Sequence, residues 1–278
     1  MSFKTILCIV GMKVGDTDLK LATNLCVENN AHLSILVISL VSPPPIGDYA
    51  STISDAWLEE RQQDLQQLEK RTKKIKMFLN EAGIPASVSS EYAEFVSAAG
   101  EIGRHARYSD LTFVGPEVLK SEVLKSKVVE GALFESGRPV LIAPSGTTPT
   151  LTPKHVLLAW DSGVEAARAA REALVMLIGA DDVHVTVVDP DTSSAMNGPE
   201  PGADVGAYLA RHGVKVIVDR LPSGGIPVAD VLNQHAVDIA ADLMVMGGYG
   251  HSRLRERVFG GVTKSMIDAP KFPILMAR

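Results

Sequence analysis

Asp242-Leu243-Met244-Val245-Met246-Gly247-Gly248-Tyr249-Gly250-His251-Ser252-Arg253 begins as an apolar run and ends among glycines. The chain then passes through Phe259-Gly260-Gly261-Val262-Thr263, where a helical pattern starts. Glycines at 247, 250, 260 and 261 let backbone approach a ligand closely and adopt positive φ. The second glycine pair stands at the start of the helical pattern, where unpaired N–H groups and the helix dipole favour an anion. A strand, a glycine loop and a helix N-terminus in that order describe a phosphate cradle. The competing reading is the ordinary need of a parallel α/β protein for glycines after its strands. Glycines flanking both ends of one loop exceed that need.

Working outward, short apolar runs without polar alternation recur at 6–10, 33–38, 111–114 and 139–143, and again at 156–160, 183–188, 214–218, 243–246 and 273–277. Such runs between helical segments predict strands buried on both faces of a parallel sheet. A weaker run, Ala86-Ser87-Val88-Ser89, supplies the third strand of the first set. Ser162 followed by Glu165 reads as a capping box, with Ala166, Ala170, Leu174 and Leu177 at helical spacing behind it. From Asp55 to Glu81, Leu58, Leu65, Leu68, Ile75 and Leu79 share one face of a long exposed helix, which Gly83-Ile84-Pro85 ends.

The two sets repeat one another. Asp110-Leu111-Thr112-Phe113-Val114-Gly115 matches Asp242-Leu243-Met244-Val245-Met246-Gly247, and Arg138-Pro139-Val140-Leu141-Ile142-Ala143 matches Phe272-Pro273-Ile274-Leu275-Met276-Ala277. A stretch of linker composition, 145–153, lies between the copies. The expectation is two α/β domains, 1–146 and 154–278, joined by a linker at 147–153. Each is a five-stranded βαβ unit with right-handed crossovers.

With 278 residues the chain has room for two cores, and 46% hydrophobic with 22% charged residues is a globular composition. The formal charge of −6 argues against nucleic acid as the main partner. No apolar segment approaches the length of a membrane span. Met1-Ser2-Phe3-Lys4-Thr5 runs straight into a strand-like segment without the features of a secretory signal. Cys8 and Cys26 form no CxxC pair and read as buried free thiols, so a cytoplasmic location is expected.

These residues resemble the universal stress protein family in its tandem, two-domain form. The resemblance spans both halves. It rests on Gly247-x2-Gly250-x9-Gly260 after a strand, and on Ala159-Trp160-Asp161-Ser162, which is similar to the family's Asp-containing first turn. It implies two Rossmann-like domains (flavodoxin-like or adenine-nucleotide alpha hydrolase-like), each a parallel sheet of order 3-2-1-4-5, paired about a pseudo-twofold axis. It also implies ATP or AMP at the carboxyl ends of the strands, with Mg²⁺ held mainly by phosphates and water. Carried over residue by residue, Asp161 would bond the ribose or adenine edge, and Ala159, Trp160, Val187 and Met246 would surround the base. Gly247 and Gly250 would bring N–H groups to the phosphates, with Gly260, Gly261 and Val262 closing the cradle. Asp161 as a mere helix cap beside Ser162, and Val187 as plain core, are the competing readings.

Departures from the family pattern matter as much. Gly261 stands where the family has Ser or Thr, so one hydroxyl donor is missing. Thr263 is a substitute only if the helix turns it inward. One lost neutral hydrogen bond costs about 0.5–1.5 kcal/mol, roughly two- to twelvefold in affinity. In the first copy Gly11 matches Asp161, the loop reads Gly115-Pro116-Glu117-Val118-Leu119-Lys120, and Ser126-Lys127 replaces Gly260-Gly261. Pro116 removes a donor and Glu117 sets a negative charge where phosphate would sit. The first domain therefore reads as a degenerate partner, its crevice left to another ligand.

Outside the glycines, His251 and Arg253 are candidate phosphate donors, with a solvated loop as the alternative. The histidines show no HxxxH, HExxH or Cys/His spacing, so no metal site is expected. GxSxG and Walker-type motifs are missing, which favours binding over fast phosphoryl transfer. The alternatives are a protein-interaction module with a vestigial nucleotide site, or a binder of another phosphate-bearing metabolite. Finally, Val140-Leu141-Ile142-Ala143 and Ile274-Leu275-Met276-Ala277 are apolar last strands that would pair with one another within the chain. The family resemblance adds a homodimer of the whole chain.

Overall fold

The computed structural model describes residues 3–12, 15–42, 55–190, 200–249 and 261–278. Two compact units divide the chain, Phe3–Arg138 and Pro139–Arg278.

The first unit runs β1 (Thr5–Gly11), α1 (Thr17–Asn29), β2 (His32–Val41), α2 (Asp55–Ala82), β3 (Ala86–Glu94), α3 (Ala98–Ala106), β4 (Leu111–Val114), α4 (Pro116–Leu119) and α5 (Glu122–Glu130), then a π-helical stretch, Gly131–Ser136. Its strands lie parallel in the order β3-β2-β1-β4. Ile6 to Val10 on β1 and Ile35 to Ile38 on β2 are apolar without alternation because helices cover both faces. Ile6, Leu7, Cys8 and Ile9 are completely buried. The weak third run extends further than its sequence suggests, because β3 pairs with β2 along its whole length.

The second unit runs β5 (Val140–Ile142), β6 (His155–Ala159), α6 (Val164–Glu172), α7 (Leu174–Gly179), β7 (Asp182–Val188), α8 (Ala203–Arg211), β8 (Val216–Leu221), α9 (Val228–Asp238), β9 (Leu243–Gly247), α10 (Val262–Asp268) and β10 (Ile274–Ala277). Strands β10-β9-β6-β7-β8 are neighbours in that order and parallel. Strand β5 is the last strand of the first repeat in sequence but groups with this unit. It runs antiparallel to β10, with Ile274 opposite Ile142 and Met276 opposite Val140. Read from β8 to β10, the second unit has the expected order 3-2-1-4-5.

One bond recurs in both units and explains the aspartate that precedes the matched strands. Asp110 Oδ2 accepts the N–H groups of Lys4 and Thr5 at 2.7 and 2.9 Å. Asp242 Oδ2 accepts those of Lys154 and His155 at 2.7 and 3.1 Å. A charge-assisted pair of bonds pins the start of β1 beside β4, and of β6 beside β9.

Two local expectations need correction. On α2, Leu68, Ile75 and Leu79 are buried, but Leu58 and Leu65 are 46% and 43% exposed. The apolar face is longer than the surface it covers. At α6 the capping box does not form. Gly163 is the N-cap, without a side-chain cap, and Ser162 lies in the left-handed region at φ 63°. That conformation turns the chain before the helix starts. Cys8 and Cys26 are both free and buried, and burial pushes the Cys26 thiol up to about 12. No described helix is long and apolar enough to cross a membrane.

Candidate functional site

Strand β6 ends at Ala159, between β7 and β9. The residues after it therefore emerge in the middle of the second unit's sheet, at the carboxyl ends of the strands. Trp160 N–H donates to Thr186 O at 2.9 Å, which holds the chain against β7 as it leaves the sheet. Ala159 and Trp160 are half-buried, and Asp161 is exposed. Asp161 Oδ1 accepts the N–H of Gly163 at 2.8 Å, an Asx-type turn, so the carboxylate is held and one oxygen remains for a ligand. Val187 and Met246 are buried on the flanking strands, 3% and 4% exposed. Both belong to the core.

The turn after β9 is fixed at three points. A Cβ on Gly247 would lie 2.6 Å from Ala166 N and 2.7 Å from Glu165 C, so glycine is required there by the close approach of α6. The missing side chain thus makes room for the start of α6. Gly248 N–H donates to Ala277 O at 2.8 Å. Tyr249 adopts φ 59°, and its N–H donates to Thr263 Oγ1 at 3.3 Å. Thr263 therefore turns toward the β9 turn and ties it to the start of α10. Sequence spacing carried no sign of this, since a side chain two residues along a helix is expected to point elsewhere.

Gly261 is the N-cap of α10 with extended backbone, φ −85° and ψ 153°, and nothing lies within 4 Å of an added Cβ. Neither conformation nor space demands glycine there. Val262 is half-buried. Gly250, His251, Arg253 and Gly260 lie outside the described residues. Of the expected set, the structure thus brings Ala159, Trp160, Asp161, Val187, Met246, Gly247, Gly261, Val262 and Thr263 to the carboxyl end of one sheet.

The first unit handles the same place differently. Gly115 follows β4, and a Cβ on it would meet the Asp18 carboxylate at 2.4 Å. Asp18, on α1 and 3% exposed, accepts the N–H of Glu117 at 2.8 Å and that of Val118 at 3.0 Å. An internal carboxylate occupies the donors that an anion would use. Burial pushes the Asp18 carboxyl above its ordinary value, the two N–H bonds opposing that rise. Glu117 turns outward, accepting Gly15 N–H at 3.3 Å and pairing with Lys120 at 3.0 Å. The Lys120 bond is the main reason its carboxyl falls below the ordinary range. Beyond these groups an open crevice of about 840 Å³ remains. The Arg61 guanidinium stands there 5.4 Å from the Trp57 ring and 5.3 Å from that of Tyr92.

The histidines that showed no spacing pattern are brought together by the second sheet. His184 on β7, Asp219 on β8 and His235 on α9 place ligand-type atoms within 4.8 Å of one another. Sequence reading missed them because each comes from a different element, and the periodicity of a motif within one element cannot report that.

Residues 152–278 match the model of the universal stress protein family. Among solved structures, a universal stress protein from Archaeoglobus fulgidus DSM 4304 is similar over 98% of this chain and 96% of its own, with a TM-score of 0.67 and 19% identity. A putative universal stress protein from Pseudomonas aeruginosa UCBPP-PA14 is similar over 99% and 93%, with a TM-score of 0.57 and 18% identity. At such identities the likeness is one of fold. No curated protein sequence matches the chain.

Proposed function

Residues 152–278 belong to the universal stress protein family, and from that premise we propose that the second unit binds an adenine nucleotide, ATP or AMP, in a stress-response or signalling role. The observation that carries this reading is the convergence of Asp161, the Gly247–Tyr249 turn and the Gly261–Thr263 segment at the carboxyl ends of β6 and β9, inside the matched residues. Open parallel sheets take their ligands in that crevice. Asp161 Oδ2 would accept from a ribose hydroxyl or the adenine edge, with Val187 and Met246 beneath the base. The N–H groups around Gly261 and the loop residues Gly250, His251, Arg253 and Gly260 would face the phosphates. Mg²⁺ would be held by phosphates and water.

Binding rather than rapid hydrolysis is proposed, because no described residue beside the crevice is placed as a base with a lysine on a γ-phosphate. The first unit, its donors engaged by Asp18, is a degenerate partner, and the location is cytoplasmic. Calorimetric titration of the full chain with ATP and Mg²⁺ should give about one site at micromolar to submillimolar affinity. Two equal sites, or none, would refute the proposal. Gly250→Trp should remove the site and leave the far-ultraviolet circular dichroism unchanged.

A second reading, an interaction module with a vestigial site, is favoured by Gly261 and by the packing role of Gly247. Nucleotide released by acid from freshly purified protein separates the two, and an unbiased mass search of the same extract covers other phosphate-bearing metabolites. For assembly, the proposal is that the repeats depend on one another through Val140-Ala143 and Ile274-Ala277. A first repeat expressed alone to Ser145 as a soluble, stable monomer would overturn it. A homodimer of the whole chain is the remaining assembly expectation.

A further inference from the structure

Strands β7 and β8 are in register with Thr186 opposite Asp219, so His184, two residues earlier, points to the same face as Asp219. Helix α9 crosses that face and brings His235 down onto it. Asp219 Oδ2 lies 2.6 Å from His184 Nδ1 and 2.8 Å from His235 Nε2. The two rings meet edge to face at 76°, with centroids 5.9 Å apart, so their nitrogens converge rather than stack. The side chains are only 16%, 21% and 14% exposed for His184, Asp219 and His235.

A second layer lies behind His184. Its other nitrogen, Nε2, faces Asp182 Oδ1 at 3.7 Å, and Asp182 Oδ2 holds His155 Nδ1 at 2.9 Å. Asp182 Oδ1 is buried and has no hydrogen-bond partner. At 3.7 Å His184 Nε2 stops short of a hydrogen bond, and Asp182 stands as a carboxylate behind the ring, the outer layer that metal-bound imidazoles use. A proton on Nδ1 satisfies the 2.6 Å contact with Asp219, and a cation that takes two imidazoles and one carboxylate can stand in its place.

We propose that His184, Asp219 and His235 form a Zn²⁺ site in the second unit, with Asp182 as the outer carboxylate. Two imidazoles and one carboxylate suit zinc, whereas calcium and magnesium take oxygen ligands, and no cysteine belongs to the cluster to favour a softer ion. Tetrahedral bonds of about 2.0–2.1 Å put ligand atoms roughly 3.3 Å apart, so each histidine need retreat from Asp219 by less than about 1 Å. Three protein ligands leave the fourth position to water. His184 and His235 lie toward the amino ends of the strands, away from the nucleotide crevice. The ion's effect is therefore to clamp α9 to β7 and β8.

The test uses the full chain without a polyhistidine tag, titrated with Co²⁺ and then Zn²⁺. A visible ligand-field band of tetrahedral type should saturate at one Co²⁺ per chain and vanish on adding one equivalent of Zn²⁺. His184→Gln and His235→Gln should abolish it. Asp182→Asn should weaken binding about tenfold. His212→Gln, beside Tyr208 at the end of α8, should change nothing. A wild-type chain without a saturable band, or a band retained in both ligand variants, overturns the site. Should either variant fail to fold, imidazole proton–nitrogen spectra of the wild type decide. Zn²⁺ must move the His184 and His235 resonances and leave that of His212 in place. Movement of His212 instead, or of none, overturns the assignment.

Discussion

Gly115 and Gly247 stand at the ends of corresponding strands, one just past β4 and the other closing β9, and the space that each lacks a side chain to fill holds something different. Against Gly115 lies the Asp18 carboxylate, bonded to the N–H groups of Glu117 and Val118. Against Gly247 lies the backbone of Glu165 and Ala166. The first unit has satisfied its donors from within. The second holds its turn by Thr263 and by β10, and presents Asp161 and an unencumbered Gly261 beside it. The same place in the two repeats thus differs by the position of a single buried carboxylate.

The largest effect should come from removing that carboxylate. Asp18→Ala leaves two N–H groups, one of them buried, without their acceptor, at a cost of about 3 kcal/mol in urea unfolding of the full chain. Glu165→Ala, the acidic residue nearest the other turn, should cost less than about 0.5 kcal/mol. Asp18→Asn, which keeps one acceptor, should fall between Asp18→Ala and wild type. Equal losses at Asp18 and Glu165 would mean that the two turns are not built differently.

Next comes Gly247→Ala. An added Cβ 2.6 Å from Ala166 N must displace the start of α6, a backbone shift worth about 2 kcal/mol. Melting temperature reads it. A neutral result would show that α6 can step aside and that packing does not demand glycine there.

The repeat and the parallel strands were legible because they rest on periodicity. Unalternating runs such as Leu243 to Met246 can only be strands covered on both sides. The glycine loop was legible as a pattern but not in its physics. Gly247 carries a packing demand from α6, which its place after a strand does not reveal in the sequence. Asp18 looked like an ordinary first-turn acid of α1, and its partners Glu117 and Val118 lie about a hundred residues away. His184, Asp219 and His235 were hidden for the same reason. Contacts across elements leave no spacing in the sequence, whereas contacts within one element do.

A smaller effect sharpens the comparison from the ligand side. Gly261 needs no glycine for conformation or space, so Gly261→Ser should fold normally. Its hydroxyl should strengthen ATP binding by the equivalent of about one neutral hydrogen bond, roughly two- to twelvefold, in calorimetry. Weaker or unchanged binding would show that phosphate does not approach the start of α10.

The smallest effect separates two aspartates within a few residues of each other in the first unit. Burial pushes Asp16 up, but hydrogen bonds and charge from Arg71, 2.7 Å away, and then Lys74 outweigh it and hold its carboxyl below the ordinary 3.8. Burial is also the leading influence on Asp18, and there it prevails over the N–H bonds from Glu117 and Val118, so that carboxyl rises above 3.8. The signs follow from linkage. Asp16 contributes stability that is present above its unfolded value and lost as pH falls through its lower folded one. Asp18 contributes stability that is present below its unfolded value and lost as pH rises through its higher folded one. Unfolding free energy measured against pH should therefore lose slope below 3.8 in Arg71→Gln, and lose an opposite slope above 3.8 in Asp18→Asn. If Arg71→Gln leaves the acid limb unchanged, the ion pair at Asp16 is too well solvated to matter. If Asp18→Asn leaves the upper limb unchanged and instead loses slope below 3.8, the N–H bonds outweigh burial and the carboxylate in the first unit's cradle is held as an anion.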